Sequence, residues 1–187
     1  LPDVLDDLLG ESLQVVFCGT AAGTASAKAG AYYAHQQNKF WTILHETRLT
    51  AELLQPQQYR DLLNYRIGLT DLVKTHFGMD HQIPLSRLGE VSRTRLRASI
   101  LACRPRFLAF TSKTAGQRFL GDKRDYGEQI ELIADTRIWI LPSTSGAANG
   151  AWRSEIWHEF AERVRSALSA EMGTGQMSSF PFKGTRA

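Results

Sequence analysis

The stretch Gln14-Val-Val-Phe-Cys18-Gly-Thr-Ala-Ala-Gly23-Thr-Ala-Ser26 decides the fold. Residues 15–18 form a short apolar run with β-branched members, closed by Gly19, and this is the pattern of a strand buried on both faces. Tiny residues follow from Gly19 to Ser26. Small side chains directly after a strand let a ligand approach backbone N–H groups closely, although a tight strand-to-helix connection has the same composition. No Gly-Lys-Ser/Thr follows at Walker spacing and no GxGxxG is present, which disfavours a P-loop and a dinucleotide site.

Two more runs of the same kind lie downstream, Phe107-Leu-Ala-Phe-Thr111 and Arg137-Ile-Trp-Ile-Leu141, the latter closed by Pro142. A weaker strand candidate is Ile67-Gly-Leu-Thr-Asp-Leu-Val73. Helical patterns fall between them. Asn38 is placed to cap a helix carrying Phe40, Trp41, Ile43 and Leu44. Pro56 suits the first turn of another, with Tyr59, Leu62 and Leu63 on one side. Residues 84–103 carry Leu96, Ile100 and Cys103 at helical spacing, and Ser112 is placed to cap a short helix to Leu120. The clearest helix is 151–170, where Trp152, Ile156, Phe160, Val164 and Leu168 recur every four residues. Strands alternating with helices predict a three-layer α/β/α sandwich with a mostly parallel central sheet. In such sheets sites gather at the carboxyl ends of strands, here segments 19–30, 71–80, 111–113 and 142–149.

Composition bounds the function. The 187 residues suit one domain, read as 1–172, with a Gly- and Ser-rich tail over 173–187 expected to be flexible. A hydrophobic share of 43% supports a core unaided, and no stretch has the roughly 20 apolar residues of a membrane span, so no membrane partner is expected. The acidic start Leu1–Ser12 lacks the basic region of a secretory signal. Cys18 and Cys103 read as buried thiols of a reducing, cytoplasmic compartment. The five histidines show no metal-ligand spacing, so no metal is expected. Net charge is +3, and residues 87–106 hold six arginines against one acid, Glu90; this fits a polyanionic partner or a solvated helix face.

Four loops carry the candidate chemistry. Thr20 and Ala21 lie in the small-residue loop. Tyr32 and Tyr33 stand among amides before Trp41, where a planar base could stack on a ring. Asp71 ends an apolar strand, where a carboxylate is costly unless exposed or paired, so it is either a functional acid or a helix cap. His76 and Asp80 follow closely enough to border the same place. Leu141-Pro-Ser143-Thr-Ser145-Gly146-Ala147-Ala-Asn149 offers hydroxyls and N–H groups before a helix, suited to phosphate or to an ordinary capped turn.

Taken together, Pro2-Asp-Val-Leu5, Val15–Gly23, Asn38-Lys-Phe-Trp41, Tyr65–Val73 and Leu141–Gly146 resemble, in order and spacing over residues 2–170, the mismatch-specific (MUG/TDG) branch of the uracil-DNA glycosylase superfamily. The resemblance implies a uracil-DNA glycosylase-like fold and a monofunctional enzyme that flips uracil out of DNA and excises it by hydrolysis, without a cofactor, acting at the bacterial nucleoid; no heptad or large amphipathic surplus argues for assembly, so a monomer is expected. Two departures stand out. The family's first loop reads Gly-Ile-Asn-Pro-Gly, and its water-positioning Asn is here Ala21 and its Pro is Ala22. Its second motif, Leu-Pro-Asn-Pro-Ser-Gly-Leu, ends in a bulky plug that is here Ala147. The resemblance then assigns catalysis to an ionised Asp71, which requires that burial not raise its pKa far. It assigns base binding to Thr20, Ala21, Tyr33 and, more weakly, Tyr32, and DNA contacts to Ser143, Ser145, Gly146, Ala147 and Asn149. A non-hydrolytic binder of uracil or abasic DNA, and a glycosylase for hypoxanthine, xanthine or ethenocytosine, remain open alternatives.

Overall fold

The structure is a computed structural model and describes residues 1–175; the expected tail over 173–187 lies almost wholly outside them. Five strands form one sheet: β1 (Val15–Ala22), β2 (Ile67–Phe77), β3 (Phe107–Phe110), β4 (Gly127–Ile133) and β5 (Thr136–Ile140). Their spatial order is β2-β1-β3-β5-β4. The first four in that order run parallel, and β4 returns antiparallel on β5. The three apolar runs become the inner strands β1, β3 and β5, in which every residue of β3 and all but one of β5 are buried. That is the reason they lack polar alternation.

Helices cover both faces. On one face α2 (Phe40–Glu46) and α5 (Ser154–Gly175) pack Phe40, Trp157 and Phe160 onto Phe17, whose ring lies 5.3, 5.6 and 5.9 Å from theirs. On the other, α3 (Glu90–Cys103) and α4 (Lys113–Leu120) set Leu96, Ile100, Ala115 and Phe119 against Val16, Leu108 and Ile140. A short helix α1 (Thr24–Ala29) follows the small-residue loop. The predicted α/β/α sandwich is therefore the observed one. None of the described helices is long and apolar enough to cross a membrane.

Several local expectations change. Pro56–Tyr65 is a 3-10 rather than an α-helix, and Leu63 on it is exposed. The segment 84–103 breaks at Gly89 into a 3-10 turn and α3. The last helix starts at Ser154; residues 146–151 form a separate 3-10 turn that leaves Trp152 before the helix, still packed on the core. Cys18 is buried as expected, but Cys103 is only partly so; both are free thiols.

The amino-terminal segment is part of the scaffold. Leu8 forms an antiparallel bridge with Leu69, each N–H donating to the other's carbonyl at 2.9 Å, and the Val4 N–H donates to the Lys74 carbonyl at 2.7 Å. It thereby lies along the outer side of β2 and brings Asp6 and Asp7 to the carboxyl half of that strand.

Candidate active site

Two breaks in the sheet ladder create the site. β3 ends at Phe110, opposite Cys18, and the last bond across is Thr111 N–H to the Cys18 carbonyl at 3.0 Å. β1 runs four residues further, Gly19 to Ala22, paired only to β2. Successive residues of a strand point their amides to alternate sides. The Cys18 carbonyl faces β3, so Thr20 also turns its N–H toward that side, beyond the end of β3. This is a donor aimed at the space above the sheet's carboxyl edge.

Gly19 pairs with Asp71 in the parallel register, so both present the same face. An α-carbon substituent on Gly19 would lie 2.5 Å from Asp71 Oδ1 and 3.7 Å from the Tyr33 hydroxyl. The bare α-carbon of Gly19 thus forms the wall against which the carboxyl group and the phenol converge. Gly19→Ala is expected to push the Asp71 carboxyl out of place and to slow any reaction that depends on it by about a hundredfold, the usual cost of ångström-scale misplacement. A single-turnover rate together with an unchanged melting curve checks this; full activity in Gly19→Ala would show the contact to be unimportant.

Tyr33 is held firmly. Its ring stacks on Phe40, with centroids 3.8 Å apart and planes 19° from parallel, and its hydroxyl shares a hydrogen bond of 3.1 Å with Thr111 Oγ1. Its backbone sits at φ 51°, a left-handed conformation that costs a bulky residue about 1–3 kcal/mol and persists where surroundings enforce it. Burial and the nearby Asp71 carboxylate push the phenol well above its ordinary pKa, so it stays a neutral hydroxyl. Thr20 is also buried beside this group, with its Oγ1 3.2 Å from Ser112 Oγ. Ser112 caps α4 as expected, accepting from the Ala115 N–H at 3.1 Å.

Tyr32 is placed differently from its neighbour. It is 2% exposed, its hydroxyl donates to the Asp6 carbonyl at 3.1 Å, and its ring meets Tyr59 edge-on at 5.7 Å. Tyr32 therefore belongs to a network behind the site. Lys74 is the centre of that network: its buried ammonium donates to Asp7 Oδ1 at 2.6 Å and to the Tyr32 hydroxyl at 3.2 Å. Asp7 also accepts from Thr70 Oγ1 at 2.6 Å and pairs with Arg95 Nη1 at 3.3 Å. Arg95 in turn donates to the backbone carbonyl of Asp71. Sequence reading missed Asp7 and Lys74, since nothing local marks a leader aspartate as the partner of a lysine 67 residues away.

Asp71 is 4% exposed. Burial pushes its carboxyl up to about 7, against which the charges of Lys74 and Arg95 pull it down and that of Asp7 pushes it further up. The expectation that burial leaves this group near the ordinary carboxylate range is thus corrected. The two cations that could hold it ionised are committed to Asp7.

The last loop completes the rim. Ser143 Oγ accepts from the Ser145 N–H, and Ser145 Oγ accepts from the Ala147 N–H, each at 3.3 Å. Both hydroxyls fold the loop as acceptors and keep their protons free to donate outward. Gly146 must lack a side chain because a β-carbon would lie 2.8 Å from Gln37. Ala147 and Asn149 are exposed, and Asn149 Oδ1 accepts from Lys39 Nζ. That ammonium also lies 5.5 Å from the Trp152 ring, in a cleft of about 380 Å³ shared with Gln36 and Gln37. Among the described residues no group of three His, Cys, Asp or Glu side chains is arranged to hold a metal ion.

The comparisons agree with this architecture. Residues 7–161 match the family model described as the uracil DNA glycosylase superfamily. A protein of Methanosarcina acetivorans, whose solution structure is described as that of a candidate uracil DNA glycosylase, is similar in fold at a TM-score of 0.58 and 19% identity, over 86% of this chain and 96% of that one. The matched span runs from Asp7 to Ala161 and takes in every candidate residue above, and on that match the chain belongs to the uracil DNA glycosylase superfamily.

Proposed function

We propose that the protein is a monofunctional DNA glycosylase that extrudes uracil from DNA and hydrolyses its N-glycosidic bond, with Asp71 as the catalytic residue. The observation that carries this reading is the buried Asp71 carboxyl, packed on the Gly19 α-carbon beside the Tyr33 hydroxyl, under the unpaired edge of β1. A base inside a duplex is shielded by its neighbours and must be taken out of the stack before its sugar bond can be reached. In the pocket the base would lie against Tyr33, whose other ring face is already taken by Phe40. The Thr20 amide would bind a pyrimidine oxygen, while Ala21, paired with Val73 and so turning its own N–H toward β2, would only line the pocket beside it. The serine hydroxyls of 143 and 145, with Asn149, would hold the flanking phosphates, and Gly146 and Ala147 would face the gap.

The chemistry then balances with this chain's own groups. Ionised Asp71 accepts a proton from water as the water oxygen bonds to the anomeric carbon. The C–N bond breaks and its electron pair leaves on the base as an anion, which the Thr20 amide stabilises as an oxyanion-hole donor does. The protonated Asp71 then returns the proton to the departing base or to solvent, leaving an abasic sugar. The carboxylate also stabilises the positive charge that develops on the sugar.

Only the ionised form can serve as base, and the carboxyl titrates near 7. Single-turnover excision is therefore expected to rise about tenfold per pH unit below that point and to level off above it. A flat profile from pH 5.5 to 8.5 would take Asp71 out of this role. The reading as a whole is tested with an oligonucleotide panel carrying uracil, hypoxanthine, xanthine or ethenocytosine. Release of uracil supports it, release of another base alone moves the substrate, and tight binding without an abasic product replaces the enzyme with a binding protein.

A further inference from the structure

β2 carries three more residues than β1 at the mouth of the site. Ala21 pairs with Val73 but Ala22 pairs with Phe77, so Lys74, Thr75 and His76 bulge out of the ladder and the strand resumes at Phe77. The end is pinned: the Gly78 N–H donates to the Ala22 carbonyl at 2.8 Å. Gln82 closes the following turn, its Oε1 accepting from the Met79 N–H and its own N–H donating to the Met79 carbonyl, each at 2.8 Å. Buried Ile83 anchors the turn below. On this fixed support Phe77 is 54% and Met79 50% exposed, and Phe77 is the one Phe, Tyr or Trp side chain among the described residues that is more than half exposed.

The position of that pair is informative. Phe77 stands level with Ala22, three residues beyond the Gly19–Asp71 pair, which is about 10 Å along a strand. It rims the pocket from the β2 side, whereas the loop 142–151 rims it from the side of β3 and β5. The latter loop offers only Gly146 and Ala147 to the gap an extruded nucleotide leaves, and neither can fill it. Proteins that unstack DNA insert apolar side chains between base steps, and aromatic rings stack on any base.

We propose that Phe77, backed by Met79, is the wedge that stacks on the base flanking the extruded nucleotide. The inference rests on the glycosylase reading for its substrate and assigns the unstacking step to β2. Its test is Phe77→Ala, measured on uracil in duplex and in single-stranded oligonucleotides, with Phe77→Trp as rescue. The ratio of duplex to single-strand rate is expected to fall about ten- to hundredfold in the Ala variant, the range that base–aromatic stacking supplies, and to recover in the Trp variant. The melting temperature should not move, since the side chain is exposed. An equal loss on both substrates, or no loss, overturns the wedge. So does a wild-type dimer that Phe77→Ala dissociates in sedimentation, which would give Phe77 to a contact between copies. Absence of excision by the wild type sinks the glycosylase reading alone. The wedge is then decided by affinity for duplex DNA with a tetrahydrofuran abasic site and by fluorescence of an adjacent 2-aminopurine. Weaker binding and lower fluorescence in Phe77→Ala support it, and equality of both overturns it.

Discussion

Replacing Asp71 by Asn is expected to slow single-turnover excision by roughly 10²–10⁴, the span usually supplied by a positioned general base, and to raise the melting temperature at pH 8. The two effects share one cause. The carboxyl is 4% exposed, faces the Gly19 α-carbon, and ionises only near 7 instead of 3.8. A folded-state value above the unfolded one means that the native state holds its proton more tightly. The stability contributed by the protonated form is present in full below about pH 4 and is lost as pH rises through 7. Above 7 the ionised group withholds about 4 kcal/mol from the fold as an upper bound. Asn has no charge to desolvate, so the gain in Asp71→Asn should be largest at pH 8 and should fade towards pH 4. Thermal melts across that range give the sign. A variant that is both slow and no more stable at pH 8 than wild type would show that Asp71 is better solvated than its burial implies.

The second large effect is at Lys74. Lys74→Met is expected to destabilise the fold by about 3 kcal/mol, the lower end of the cost of breaking a buried pair, because Asp7 loses its nearer cation and is left with the longer Arg95 pair and the Thr70 hydroxyl. It should also move the midpoint of the pH–rate profile upward. Lys74 is the larger of the two influences that favour Asp71 ionisation, and its loss leaves the carboxyl more protonated at neutral pH. The melting temperature and the profile are read on one preparation. Adding Asp7→Asn to Lys74→Met should restore part of the stability, since the orphaned carboxylate goes with it and its push on Asp71 is removed. A Lys74→Met chain with an unmoved midpoint would detach this network from Asp71 and leave it a purely structural ion cluster.

The inner strands were legible because burial on both faces demands uninterrupted apolar residues, and 15–18, 107–110 and 138–141 have them. β4 was not. In Gly127–Ile133 the apolar Ile130 and Leu132 point outward on an edge strand, 88% and 54% exposed, so the hydrophobic pattern marks no covered face. Helix α1, Thr-Ala-Ser-Ala-Lys-Ala, carries no apolar stripe and was hidden in the small-residue loop. Within the site, Asp71 could be singled out because a carboxylate at the end of an apolar strand is anomalous wherever it occurs. Its titration could not be foreseen, since that depends on Lys74 and Arg95 being drawn to Asp7, an arrangement set by the course of the leader across β2. Tyr32 and Tyr33 are adjacent and chemically identical. Only the left-handed turn at Tyr33 separates the one aimed at Thr111 from the one buried on Tyr59.

The Leu8–Leu69 bridge has a bearing on self-association. It occupies the free rim of β2 with the chain's own backbone, so that side of the sheet cannot recruit a foreign strand while the leader is seated. Among the described residues the opposite rim, β4, has no strand paired along it and displays Ile130. Cross-pairing between molecules at high concentration should therefore begin at β4, and a charged residue introduced at Ile130 is the natural safeguard for preparations meant for crystals or spectroscopy.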